Sequence, residues 1–184
     1  MLESLREGQV YELLLISRSN VTPVGVVRRG SYLHFKLFHG RSFSDLLNDP
    51  RVSIQMTNSA ELLVGTALNL DVELAFESNG SQRWIRGLPG WAGIAECRKR
   101  KWEDGLGATT VLECRFTPLR EIPGQLEPVP FSRADCILVE MAVLFTRYRV
   151  KPSAESKRKI LELWNLYRHL GGSSQIAKYM VENL

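Results

Sequence analysis

Between Asn20 and Thr57 the pattern of apolar and polar positions changes period repeatedly, and each change predicts a different element. NVTPVGVV and SYLHFKLF flank Arg28-Arg29-Gly30. Both flanks are rich in β-branched and aromatic residues, which suit a pleated, half-buried strand. Gly30 supplies the positive φ of a tight hairpin turn. From Ser31 to Phe38 the chain alternates: Leu33, Phe35 and Leu37 form an all-apolar face that predicts the core side. Tyr32, His34, Lys36 and Phe38 then look outward or into a pocket. HGRSFSDLLNDP breaks the alternation. Leu46 and Leu47 predict a short helix that Pro50 stops, with Ser42 as N-cap and Asp45 completing a capping box. RVSIQMT returns to period two, with Val52, Ile54 and Met56 inward.

The rest of the chain reads the same way. Tyr11 to Ile16 is an apolar run of strand length, led in by an irregular or helical Glu3 to Gln9. Leu62 to Leu68 predicts one or two helical turns, and Asn69 to Phe76 a strand with one wet face. Glu77 to Gly90, with Asn79-Gly80-Ser81 and Leu88-Pro89-Gly90, reads as a long loop. Trp84 in that loop and Trp91 after it are candidates for an interface anchor, a lid over a ligand, or local packing. Ala92–Glu103 and Ala108–Leu119 predict a hairpin about Gly105-Leu106, and their wet faces carry opposite charges. Prolines 118, 123, 128 and 130 predict an irregular connection, and Cys136 to Tyr148 an apolar strand or strand-to-helix piece. After Pro152, apolar residues recur at helical spacing through Leu170, Gly171-Gly172 ends that helix, and Ser173 or Ser174 caps another. The expected organisation is a β-rich domain over 1–150 and a helical hairpin over 151–184. A hairpin that small must pack on the barrel or on a partner.

Composition narrows the chemistry. The chain has 184 residues, is 44% hydrophobic and carries a net charge of +4 with pI near 9.1. That excess suits an anionic ligand; the aromatics are not interleaved with Lys and Arg on one strand, so a nucleic-acid partner is not expected. No apolar run approaches the ~20 residues of a membrane span, and no leader is visible, so a cytoplasmic setting is expected. Three cysteines, without C-x-x-C or a nearby His pair, predict neither a disulfide framework nor a metal site. Cys97 and Cys114 are equidistant from Gly105-Leu106 and face each other across the predicted hairpin; two reduced, half-buried thiols are expected there.

The candidate binding chemistry lies in HGRSFSD. A helix start preceded by Gly40 and Arg41 offers outward N–H groups and the positive end of the dipole to an anion. The Ser42 and Ser44 hydroxyls add donors, and Arg41 a bidentate contact. The same spacing also describes an ordinary capped turn with a solvated arginine. The histidines are scattered, no G-x-S-x-G, Walker or Rossmann fingerprint occurs, and no catalytic residue is assigned.

Asn20, Pro23 and Gly25, followed by Gly40, Ser42, Asp45 and Leu46, resemble the FMN-binding split-barrel group, the flavin-reductase-like proteins. More narrowly the chain resembles an uncharacterised archaeal and bacterial branch of that group, which Ser132 to Tyr148 and the C-terminal helices also resemble. The resemblance implies a mainly β fold with added α, a split β-barrel plus a C-terminal helical hairpin. It implies an FMN-binding flavoprotein, an oxidoreductase using NAD(P)H to reduce flavin or a small substrate; the alternative reading is a non-catalytic β-barrel that binds flavin or, from the basic charge, an anion or nucleic acid. It further implies a homodimer with flavin near the interface. The cofactor would then lie along Asn20, Val21, Thr22, Pro23 and Val24, with its phosphate on Gly40, Arg41, Ser42 and Ser44 and with Lys36 and Phe38 nearby. Such proteins commonly carry Thr at position 42 and Asn at 45. A carboxylate at 45 suits a phosphate only if Asp45 turns back as a helix cap.

Overall fold

The computed structural model describes residues 2–80, 82–104, 107–126 and 132–184. They form two compact units, Met1–Thr57 with Glu73–Glu127 and Asn58–Val72 with Pro128–Leu184. Residues 133–150 therefore belong with the helices, not with the 1–150 domain expected from the sequence.

The first unit is a closed antiparallel barrel in the order β1-β2-β3-β8-β7-β4. Its strands are β1 (Val10–Ile16), β2 (Val21–Arg29), β3 (Tyr32–Leu37), β4 (Arg51–Gln55), β7 (Gly90–Asp104) and β8 (Gly107–Ile122). The alternation read from the sequence places Leu33, Phe35 and Leu37 inside, with Leu13, Leu15, Val24, Val26, Val52, Ile54, Trp91, Leu112 and Phe116. The β2–β3 turn has Gly30 at φ +60°. Helix α1 (Arg41–Asn48) follows β3. The fold is a mainly β, six-stranded antiparallel barrel with added helices, as the motif order implies.

Several expectations are corrected. Residues 69–75 form no strand. Alternation alone does not make one without a neighbouring ladder, and the chain passes from one unit to the other at Val72 and Glu73. The expected long loop is instead a hairpin, β5 (Phe76–Asn79) and β6 (Gln82–Ile85), turning at Gly80 with φ +62°. That hairpin is tied to β4. The Gln55 side chain accepts from Ile85 N–H at 2.6 Å and donates to the carbonyls of Ile85 at 2.9 Å and Leu88 at 2.6 Å. Gln82 donates to the Gly93 carbonyl at 2.8 Å. Gln55, on the face of β4 expected to be wet, is therefore fully buried. Trp84 packs with Ala92 and Ile122, and Trp91 lies in the barrel core. Local packing, not a lid or an anchor, accounts for both indoles.

Cys97 and Cys114 are register partners, as their spacing predicts, but they are joined as a disulfide. Directly opposed Cα atoms, here 4.1 Å apart, bring two inward thiols within bonding reach. Pro118 lies inside β8 opposite Gly93, at a register shift in the β7–β8 ladder. A Cβ on Gly93 would come within van der Waals overlap of the Thr117 carbonyl. The predicted turn at 105–106 and prolines 128 and 130 lie outside the described residues.

The second unit holds α2 (Ala60–Ala67), α3 (Arg133–Val150), α4 (Ala154–His169) and α5 (Gln175–Glu182). Each is N-capped by a serine, at 59, 132, 153 and 174. The apolar run after Cys136 is helical throughout. Leu138, Met141, Ala142 and Phe145 recur at i, i+3, i+4, i+7 and form one buried stripe against Ile160, Tyr167, Ala177 and Met180. Among the described residues no helix is long and apolar enough to cross a membrane, and no group of acidic, His and Cys residues could hold a metal.

Candidate functional site

The β2–β3 ladder holds only three pairs, from Arg29↔Tyr32 to Val27↔His34. Beyond it β2 stays with β1 and β3 stays with β8, so the two strands splay. On the outer face of this sheet lies a cleft of about 880 Å³, lined by Gly25 and Val27 of β2, His34, Lys36 and Phe38 of β3, and charged residues of β7 and β8. That volume falls in the range of about 300–1,000 Å³ usual for small-molecule sites.

The cleft wall is basic. Glu96 pairs with Arg115 at 2.6 Å, and Glu113 with Arg98 at 2.8 Å and Arg100 at 3.3 Å. Arg98 holds the Glu113 carboxyl below its ordinary value. Lys36 Nζ sits 3.6 Å above the Trp102 ring. Burial, then the charges of Arg29 and Arg115, push the His34 imidazole below its ordinary value, favouring the neutral ring. Phe38 is 53% exposed at the mouth.

Helix α1 begins just past Phe38. Its N-cap is Gly40, and no side chain caps it. The expected Ser42 cap and Asp45 capping box are thus both corrected. Ser42 lies one residue inside the helix, where its hydroxyl is drawn into a cluster with the β1–β2 connection. It donates to Thr22 Oγ1 at 3.2 Å and accepts from Asn20 Nδ2 at 3.1 Å. Asn20 Nδ2 also donates to Thr22 Oγ1 at 2.9 Å. The Ser42 hydroxyl is therefore committed within the protein, and what Ser42 offers an anion is its backbone N–H.

Asp45 turns to the same connection. Its Oδ2 accepts from Ser17 Oγ at 2.7 Å, Ser19 N at 2.8 Å and Ser19 Oγ at 2.9 Å. Partial burial pushes this carboxyl upward; the Ser19 and Ser17 hydrogen bonds and the charge of Arg83 outweigh it, and the net value is lowered. Arg83 of β6 donates to the Ser17 carbonyl at 2.9 Å.

Of the residues expected from the sequence, Asn20, Thr22 and Ser42 are brought together by hydrogen bonds. Gly40, Arg41 and Ser44 lie at the start of α1, and Arg41 is exposed with no carboxylate partner among the described residues. The Ser44 hydroxyl lies 3.4 Å from the Gly40 carbonyl. Lys36 and Phe38 line the cleft. Val21 and Pro23 are half-buried on the outward side of β2, and Val24 faces the core, so only its backbone is available to a ligand. Gly40 lies in the bend that leads into α1, at φ 162°, and a Cβ on it would meet nothing within 4 Å. The space over the first turn of α1 is thus open. Sequence reasoning missed Ser17, Ser19 and Arg83. No local signal marks them, because they reach Asp45 only through the tertiary fold.

Comparison with known proteins adds three observations. The model of the DUF447 N-terminal domain, a protein of unknown function, matches residues 11–123, and a second DUF447 model matches residues 132–182. An uncharacterised protein of Methanocaldococcus jannaschii, MJ1453, is 23% identical over 181 residues, covering 91% of this chain and 92% of that one. The crystal structure of an FMN-bound DUF447 protein of Methanosarcina mazei, MM1853, superposes over 100% of both chains with a TM-score of 0.76 and 20% identity.

Proposed function

The chain belongs to the DUF447 family of proteins of unknown function, and on that premise we propose that it is a flavoprotein that binds FMN. The observation that carries this reading is the uncapped start of α1, with open space over Gly40, two residues past Phe38, which lines a ligand-sized cleft. The FMN reported in the Methanosarcina mazei relative supports it. The residues present fit such a cofactor. The backbone N–H groups of the first α1 turn and the Arg41 guanidinium suit a 5′-phosphate, and Phe38 with the outward edge of β2 suits a planar ring.

The energetics require both halves. Micromolar affinity corresponds to about −8 kcal/mol. Arg41 contributes about 1.5–3 kcal/mol as a charge-assisted donor, and the helix terminus about 0.3–1 kcal/mol. Burying ~200 Å² of ring contributes about 5 kcal/mol. Neither the phosphate loop nor the cleft reaches the total alone.

When bound, the flavin supplies the redox chemistry, and the chain needs no acid–base pair of its own. The finer proposal is an oxidoreductase drawing electrons from NAD(P)H, acting as a homodimer in the cytoplasm with the flavin near the subunit interface. The test is the visible spectrum of the purified protein with an FMN titration. A yellow protein is expected, and Arg41→Ala weakens FMN about 10–100-fold while riboflavin binding is unchanged. A colourless protein that ignores added FMN refutes the reading. NAD(P)H consumption by the FMN-loaded protein separates an enzyme from a flavin carrier, and sedimentation reports the dimer.

A further inference from the structure

Asp45 is not a helix cap, and its side chain does not stand free beside α1. Three donors from the β1–β2 connection converge on one of its oxygens at 2.7–2.9 Å. From the other side Arg83 grips the carbonyl of Ser17, the residue whose hydroxyl Asp45 accepts. The connection is thereby held between a carboxylate on α1 and a guanidinium on β6. Its last residue, Asn20, reaches the Ser42 and Thr22 hydroxyls, and Ser42 belongs to the first turn of α1, where no side chain caps the free N–H groups.

We propose that Asp45 and Arg83 are positioning residues that lock residues 17–20 onto α1 and so pre-form the phosphate-binding end of the flavin site. This rests on the FMN reading above and specifies how the site selects a phosphorylated ligand. Arg83 holds Ser17, and from Ser17 one branch runs through its hydroxyl to Asp45 and another through its N–H to the Asn20 carbonyl and on from the Asn20 side chain to Ser42; each bond limits the movement of the first α1 turn. A ligand then meets the turn already ordered instead of ordering it on binding. The clamp also answers the objection that a carboxylate at position 45 repels phosphate. Its charge is spread over three donors and faces Arg83, so the field of Arg41 and the helix terminus prevails over the open space at Gly40.

The readout is the ratio of FMN to riboflavin affinity, measured by flavin fluorescence on the full chain, with thermal melting alongside. A merely structural residue weakens both flavins together. Asp45→Ala is expected to lower the FMN-to-riboflavin ratio about tenfold or more, and Asp45→Asn, which keeps an acceptor oxygen, to restore most of it. Arg83→Gln lowers the ratio in the same direction. Should Asp45→Ala not fold, Ser19→Ala carries the test: it removes one exposed donor and is expected to reduce the ratio about threefold. Wild type that prefers FMN, with variants that keep the same ratio, overturns the clamp and leaves the flavin reading standing. Wild type that binds neither flavin overturns both.

Discussion

The barrel has two outer faces that the sequence describes alike and the fold treats oppositely. On β4 the outward positions Ser53 and Gln55 are fully buried beneath the β5–β6 hairpin. On β3, β8 and β7 the outward positions carry His34, Lys36, Glu113, Arg115, Glu96 and Arg98 and border the open cleft. A polar residue under cover depends on the protein for its hydrogen bonds: Gln55 makes three, while among the described residues the Ser53 hydroxyl beside it makes none. A polar residue on the bare sheet is solvated and screened, so its pairings do little for stability and remain available to a ligand. The first face holds the fold together; the second is where recognition can occur.

Replacing Gln55 with Ala is the strongest way to break that contrast. It strands the Ile85 N–H and two carbonyls in a dry layer, and a loss of about 3 kcal/mol is expected. The urea midpoint should fall at unchanged m-value; a loss below about 1 kcal/mol would mean that the hairpin is not pinned through this amide.

The Cys97–Cys114 bridge, beneath the bare face, comes next. It closes a sequence separation of 17 residues, for which chain entropy suggests about 2–3 kcal/mol. Unfolding with and without reductant reports that difference. Alkylation of the denatured, unreduced protein should label Cys136 alone; labelling of all the cysteines would show the thiols to be free.

The smallest effect belongs to the charge lattice itself. Glu113→Gln loosens Arg98 and Arg100, and a change under about 1 kcal/mol is expected, shrinking further as salt is raised. The sign with pH follows from its lowered carboxyl. A depressed folded-state value stabilises above the ordinary 4.5 and loses that contribution as pH falls through the folded value. The variant should therefore approach wild type in acid. A large loss that ignores salt and pH would place Glu113 with the buried residues instead.

What could be read in advance divides along the same line. The β2–β3 hairpin, the β7–β8 pairing of Cys97 with Cys114, and the last two helices, the second with its Ser174 cap, were legible because period, turn glycine and cap all lie within one stretch of chain. α3 was only half legible. Leu138, Met141, Ala142 and Phe145 do recur at helical spacing, but a continuous apolar run also fits a buried strand. The β5–β6 hairpin was hidden because Gln55, distant in sequence, is what secures it. Around the candidate site, the helix start near Gly40 and Arg41 was legible from local chemistry. The role of Ser42 was misread because a serine near a helix start has a local use, and here Asn20 and Thr22 provide a competing one. Nothing local could show that Asp45 would meet Ser17, Ser19 and Arg83.

The parting of β2 from β3 has a consequence for how such a protein can diverge. Beyond Val27 and His34 the facing edges of these strands have no ladder partner among the described residues, so main-chain amides and carbonyls border the gap. Every residue but proline carries the same pair of such groups. Whatever they recognise is written in the course of the backbone and can outlast the replacement of nearly every side chain around it.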